Sequence, residues 1–421
     1  MPKNPSLTRR QLLQNAALAG VGLSLPARLA LASATSAQKF IFVFAYGGWD
    51  PTRVFATEFR NRSVDMERDS GEETRGDLSF VAHDNRPSVT RFFDRHASQS
   101  LIVNGVLVPS VAHVNCMRLM MTGTSSDGAP DWPAILGAEV AADYSLPHLV
   151  VGGPSYPGDL GYAVTRTGSS GQLEGLLNGE ILELSDTPVS MVSRRSEDLM
   201  DDYISRRAAA AAQGASEGRE LALSLAYQDS LERTLELKGL SGIVDWSSGS
   251  TLSTQADLAV DVLARGLSRC VTLNADYGWD SHSDNDSIQS TNFESLFSAL
   301  VDLATRLELT PGTQADSLME ETVVVVLSEM GRTASLNDAN GKDHWPFTSW
   351  LLFGPGIAGG RSVGGFDEFY YGLQVDPDTA EASDSGVDLT HSTMGSTLLQ
   401  LAGIDHERFL PGTITIPGLL A

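Results

Sequence analysis

The sequence predicts an α/β protein with a mostly parallel central sheet flanked by helices on both faces. Three observations lead there. Five short runs are nearly continuous in apolar residues, as strands buried on both faces must be. Stretches of helical periodicity separate most of them. Polar residues able to carry chemistry then follow the runs, where the carboxyl ends of parallel strands open onto a ligand crevice. The runs are Lys39–Tyr46, Leu101–Val108, Cys270–Ala275, Thr322–Leu327 and Ser349–Phe353. Phe293, Leu296, Phe297, Leu300, Leu303 and Ala304 recur at spacings of three and four, which draws one apolar face on a helix over 293–307. A further helix over 392–402 stops at Gly403.

Taken in chain order, residues 1–37 read as an export leader, and residues 38–421 as a single α/β domain. Thr8-Arg9-Arg10-Gln11-Leu12-Leu13-Gln14 resembles the twin-arginine export motif. The apolar stretch Ala16–Leu25 is too short to span a membrane, and Ala30–Ala34 offers small residues suited to cleavage. The leader holds Lys3, Arg9, Arg10 and Arg28 and no acid. Its implied partner is the twin-arginine translocase, which carries folded proteins, often with a metal or cofactor loaded; the implied destination is the periplasm or the exterior. Residues 195–240 are rich in alanine, leucine and charge, and read as a helical insertion broken at Gly214. Residues 59–80 and 367–388 are polar and read as surface loops or hairpins.

Charge and cysteine count exclude several classes. The chain has 421 residues, with 29 Lys and Arg against 53 Asp and Glu, for a net charge of −24. Loss of the four basic leader residues takes the mature chain to about −28. Such a surface repels phosphate backbones and anionic lipid, so neither nucleic acid nor a membrane surface is an expected partner. Two cysteines, Cys116 and Cys270, cannot build a disulfide scaffold or a cysteine zinc module. They read as two buried thiols.

The candidate chemistry lies at the run ends. The first run leads into Gly47-Gly48-Trp49-Asp50, the second to His113, the third into Trp279-Asp280-Ser281-His282 and the fourth into Ser328-Glu329-Met330-Gly331-Arg332. Lys342-Asp343-His344 precedes the fifth. Asp280 and His282 alternate on an extended segment, so a carboxylate and an imidazole project to one side. Glu329, one serine beyond four valines and a leucine, needs a partner, a metal or solvent. Asp343-His344 could be a carboxylate orienting an imidazole, or two metal ligands.

In this order GGWD, GWDSH, SEMGRT and GKDHW resemble a bacterial family called domain-of-unknown-function 1501, which has been grouped with the alkaline phosphatase and sulfatase superfamily. The resemblance implies an alkaline-phosphatase-like α/β fold and a divalent metal, and the mixed oxygen and nitrogen ligands allow zinc, manganese, magnesium or calcium. It implies metal ligation by Asp50, Asp280, His282, Glu329 and His344, and Asp343 joins the candidate metal ligands by its place beside His344. Two departures stand out. Met330 replaces a histidine ligand, and the position nine residues before Thr122-Gly123, where sulfatases carry a Cys or Ser nucleophile, is His113. Ser110, Asn115, Cys116 and Thr124 lie nearby but out of register.

Two readings follow. One is an exported metal-dependent hydrolase of phosphate, sulfate or related esters. In it His113 acts as ligand, nucleophile or general acid/base, and Arg332 holds a small anionic ester. The other is a non-catalytic periplasmic binding or assembly protein that keeps the fold.

Overall fold

Every second side chain of the first strand enters a different core, and that alternation explains the architecture. In β1 (Lys39–Ala45), Ile41, Val43 and Ala45 pack on one face, while Phe40, Phe42 and Phe44 pack on the other. Each buried phenylalanine contributes about 1.5–3 kcal/mol of hydrophobic stabilisation. β6 (Thr322–Ser328) divides its valines in the same way. Neither strand can face water, so both sit mid-sheet.

The computed structural model describes residues 38–168, 172–178, 180–182, 188–190, 192–215, 218–246 and 249–421. The leader read from residues 1–37 lies outside them. Residues Gln38–Ala421 form one compact unit. Its sheet also contains β2 (Ser100–Leu107), β3 (His148–Val150), β4 (Val164–Arg166), β5 (Cys270–Asn274), β7 (Phe347–Phe353) and β8 (Arg361–Gly364), in the order β8-β2-β7-β6-β1-β5-β3-β4. Neighbours pair in parallel except where β7 meets β6 and β2.

The antiparallel β7 departs from the expectation of a fifth parallel strand. No helix separates it from β6, only short extended pairs such as Gly331–Arg332 with His344–Trp345. Without a crossover the chain returns in the opposite direction. The strands β3, β4 and β8 have three or four residues, too few for a periodic signal.

One face is covered by α1 (Pro87–His96), α6 (Leu252–Ala264) and α7 (Asn285–Leu309). The other is covered by α2 (His113–Thr122), α3 (Trp132–Ala138) and α8 (His391–Leu401). The alanine-rich stretch forms α4 (Arg194–Gly214) and α5 (Arg219–Gly239), which pack on each other. Part of the polar stretch over 59–80 enters a hairpin, Gly71–Arg75 with Leu78–Ala82. Cys116 and Cys270 are free and buried. Among the described residues, no helix is long and apolar enough to cross a membrane.

Candidate metal centre

Two tryptophans set the site's foundations. Trp49 and Trp279 are fully buried and meet edge to face, with ring centroids 6.2 Å apart. The Trp49 indole N–H donates to Thr348 Oγ1 at 2.9 Å, and that of Trp279 to the Ala275 carbonyl at 2.6 Å. Each ring anchors the loop leaving its strand and so fixes the aspartate that follows. Gln289 of α7 ties the loops together. It accepts from the Asp50 amide at 2.9 Å and donates to the Trp279 carbonyl at 2.8 Å. Gly47 and Gly48 take positive φ, and a Cβ on Gly47 would lie 2.9 Å from the Asp280 amide nitrogen. No other residue lets the two loops approach this closely.

Around Asp280 three imidazoles converge. Asp280 Oδ2 lies 3.4 Å from His113 Nε2, and Oδ1 lies 3.2 Å from both His282 Nε2 and His344 Nε2. The two latter nitrogens are 3.0 Å apart. Every Nδ1 faces an acceptor: Glu329 Oε1 at 2.7 Å for His113, Asp343 Oδ1 at 2.9 Å for His282, and the Val111 carbonyl at 2.8 Å for His344. Nδ1 therefore carries the proton in each neutral ring, and Nε2 turns a lone pair inward. A carboxylate and three such lone pairs repel one another unless a cation joins them.

The donors fit a divalent metal. His113 Nε2 is buried and makes no hydrogen bond. Ligand atoms of His113, Asp280 and His344 all lie within 4.8 Å of one another. On a tetrahedral ion with bonds of about 2.1 Å, ligand atoms are roughly 3.4 Å apart, close to the spacings here. His282 adds a third imidazole against Asp280 and His344; a nitrogen-rich set of this kind suits zinc or manganese better than magnesium or calcium, which favour all-oxygen sets.

The remaining expected ligands have other places. Glu329 is fully buried and stands behind His113, accepting also from the Gly47 amide at 2.9 Å and lying 3.1 Å from Ser328 Oγ. Asp343 stands likewise behind His282. Such carboxylates fix the ring and raise its basicity; the hydrogen bond that His113 donates to Glu329, against the effect of burial, raises the His113 pKa.

Asp50 departs furthest from a ligand's role. It is fully buried, its Oδ1 accepting from the Thr52 amide and hydroxyl and its Oδ2 from Asn285 Nδ2 at 2.9 Å. Lys342 Nζ lies 3.0 Å from the same Oδ2, and Arg53 Nη1 3.5 Å from it. Burial pushes this carboxyl up, but Lys342 and Arg53 outweigh it and hold the pKa below the ordinary range.

Arg332, expected as an anion clamp, is fully buried too. Its Nε donates to the Gly48 carbonyl at 2.8 Å, its Nη1 to the Lys342 carbonyl at 3.1 Å and its Nη2 to Asp280 Oδ1 at 2.6 Å. A guanidinium spent in this way positions Asp280 and presents no fork to a substrate. Burial pushes the Asp280 carboxyl up, and Arg332, helped by His344 and His113, overrides this to bring it down to about 2. The Val111 carbonyl and Gln289 escaped the sequence reading. A backbone acceptor has no sequence signature, and an interior helical glutamine looks like any other.

The chain is similar in chain path to several solved structures. A protein in the alkaline phosphatase superfamily from Vibrio parahaemolyticus is 10% identical with a TM-score of 0.38, covering 95% of this chain and 76% of that one. The sulfatase PsFucS1 from Pseudoalteromonas sp. is 9% identical with a TM-score of 0.37, covering 93% and 74%. The lipoteichoic acid synthase LtaP from Listeria monocytogenes is 10% identical with a TM-score of 0.34, covering 94% and 79%. These are likenesses of chain path alone. The chain belongs to the DUF1501 family, described as a protein of unknown function, which matches residues 37–417. A search of the curated proteins finds no match.

Proposed function

We propose that this protein is an exported metal-dependent hydrolase of phosphate, sulfate or related esters, with a divalent cation held by His113, Asp280, His282 and His344. One observation carries the reading: three imidazoles donate from Nδ1 and turn Nε2 onto a single carboxylate. A bound cation would polarise the ester oxygen and lower the pKa of a nearby water. The protein's own groups supply orientation. Glu329, Asp343 and the Val111 carbonyl lock the three rings, and Arg332 locks the carboxylate.

Water is the nucleophile in this reading. With the cation bound, His113 would have both nitrogens taken, Nδ1 by Glu329 and Nε2 by the cation, leaving neither for attack. Cys116, one turn along α2, is buried, and burial pushes its thiol up to about 11. It is no thiolate at neutral pH.

The mature chain, purified without chelator, is assayed on a panel of phosphate monoesters, phosphodiesters and sulfate esters. The expected result is turnover that EDTA abolishes and zinc or manganese restores, with a loss of at least about 100-fold in Asp280→Asn and His344→Ala. Metal bound without turnover across the panel would favour a binding or assembly role instead. Export is tested separately: Arg9→Lys with Arg10→Lys is expected to leave the precursor in the cytoplasm, and undiminished export would remove the twin-arginine reading.

A further inference from the structure

The residues expected to share one site form two electrically different groups. Asp50 and Asp286 face Arg53 and Lys342. Arg53 Nε donates to Asp286 Oδ1 at 3.1 Å, Lys342 Nζ lies 3.0 Å from Asp50, and the four charges cancel. Lys342 is fully buried, and its ammonium also donates to Thr52 Oγ1 at 3.2 Å. With the two side-chain bonds from Thr52 and Asn285, both Asp50 oxygens are occupied. This group needs nothing from outside.

The second group sets three carboxylates, Asp280, Glu329 and Asp343, against the single guanidinium of Arg332, with three imidazoles between them. It is two negative charges in excess, which one divalent cation balances. Glu329 is fully buried and Asp280 about half exposed, so their charge demands compensation, while solvent screens the exposed Asp343. The adjacent residues Lys342, Asp343 and His344 divide between the groups, the first sealing Asp50 and the others serving the open centre.

We propose that Lys342 takes the place of a second cation beside Asp50, so that the protein holds one divalent ion per chain. The inference rests on the metal centre proposed above, and the metal count separates the two. Elemental analysis of the mature wild type, equilibrated with excess zinc or manganese and then desalted, is expected to give one equivalent. Asp280→Asn should fall to near zero.

Zero in the wild type would sink the centre itself. Two equivalents would leave the centre standing and overturn the role of Lys342. Lys342→Ala removes the ammonium and makes room, so titration should reveal a second, weaker equivalent; a folded variant that still stops at one overturns the proposal. Should Lys342→Ala not fold, the double variant Asp50→Asn with Lys342→Met, which removes both charges, decides. It is expected to retain one equivalent, and a drop to zero would show that the Asp50 pocket belongs to the centre after all.

Discussion

The chain contains two Trp-Asp steps, each following a strand and a glycine, and they end in opposite surroundings. Trp49 and Trp279 touch each other in the same core, so the backbones of Asp50 and Asp280 are placed by one packing unit. Yet Asp50 has no solvent exposure and is enclosed by Lys342, Arg53, Thr52 and Asn285, whereas the Asp280 side chain is 46% exposed and faces three imidazoles. The difference teaches that the dipeptide fixes where a carboxylate stands. Residues arriving from remote segments decide whether it is sealed in an ion pair or left open beside imidazoles.

The sharpest break of this comparison is in stability. Lys342→Ala strips the closed pocket of a buried charge, and the loss is expected at about 3–5 kcal/mol by urea unfolding. Asp280→Asn in chelator-treated protein removes a half-exposed carboxylate but keeps an oxygen acceptor for the buried Arg332 guanidinium, and should cost less, about 1–2 kcal/mol. Equal losses would erase the distinction between the pockets.

Metal should act on one pocket only. In a thermal-shift titration, zinc or manganese at about 100 times its Kd is expected to stabilise the wild type by about 2.7 kcal/mol. The shift should vanish in His344→Ala and persist in the Asp50→Asn, Lys342→Met double variant. A shift lost in the double variant would merge the two pockets.

Acid sharpens the contrast between closed and open histidines. His148 is fully buried beside Thr272, and burial, with a smaller push from Arg166, brings its pKa down from 6.5 to about 3. A depressed folded-state pKa means that its stabilising contribution is complete above pH 6.5 and is lost as pH falls toward 3. The expected slope is about 1.4 kcal/mol per pH unit in that window. His148→Gln should flatten the curve there, and an unchanged slope would assign the acid limb elsewhere.

The smallest effect is expected at Cys116. It shares a helix with His113 but packs into the core while His113 faces the centre. Cys116→Ala should cost about 1 kcal/mol of stability and leave metal content and turnover unchanged. Loss of activity at normal metal content would return the thiol to consideration as nucleophile.

Much of the fold was legible because burial on both faces writes itself into composition. β1 and β6 could be read from unbroken apolar runs, and α7 from its three-and-four spacing. The direction of β7 could not, since an antiparallel buried strand carries the same apolar run as a parallel one. Of the centre, residue types at strand ends marked Asp280, His282, His113 and His344. The same signal marked Asp50 and Arg332, because a run end reports position and not neighbours.

What the sequence by itself determined was local: which segments must be buried, which glycines permit close loops, and which ionisable side chains reach the sheet's edge. Tertiary structure alone decided how those side chains divide. Coulomb and hydrogen-bond partners depend on distances of about 3 Å. Lys342 reaches Asp50, and Glu329 reaches His113, across gaps of more than two hundred residues that no local pattern records.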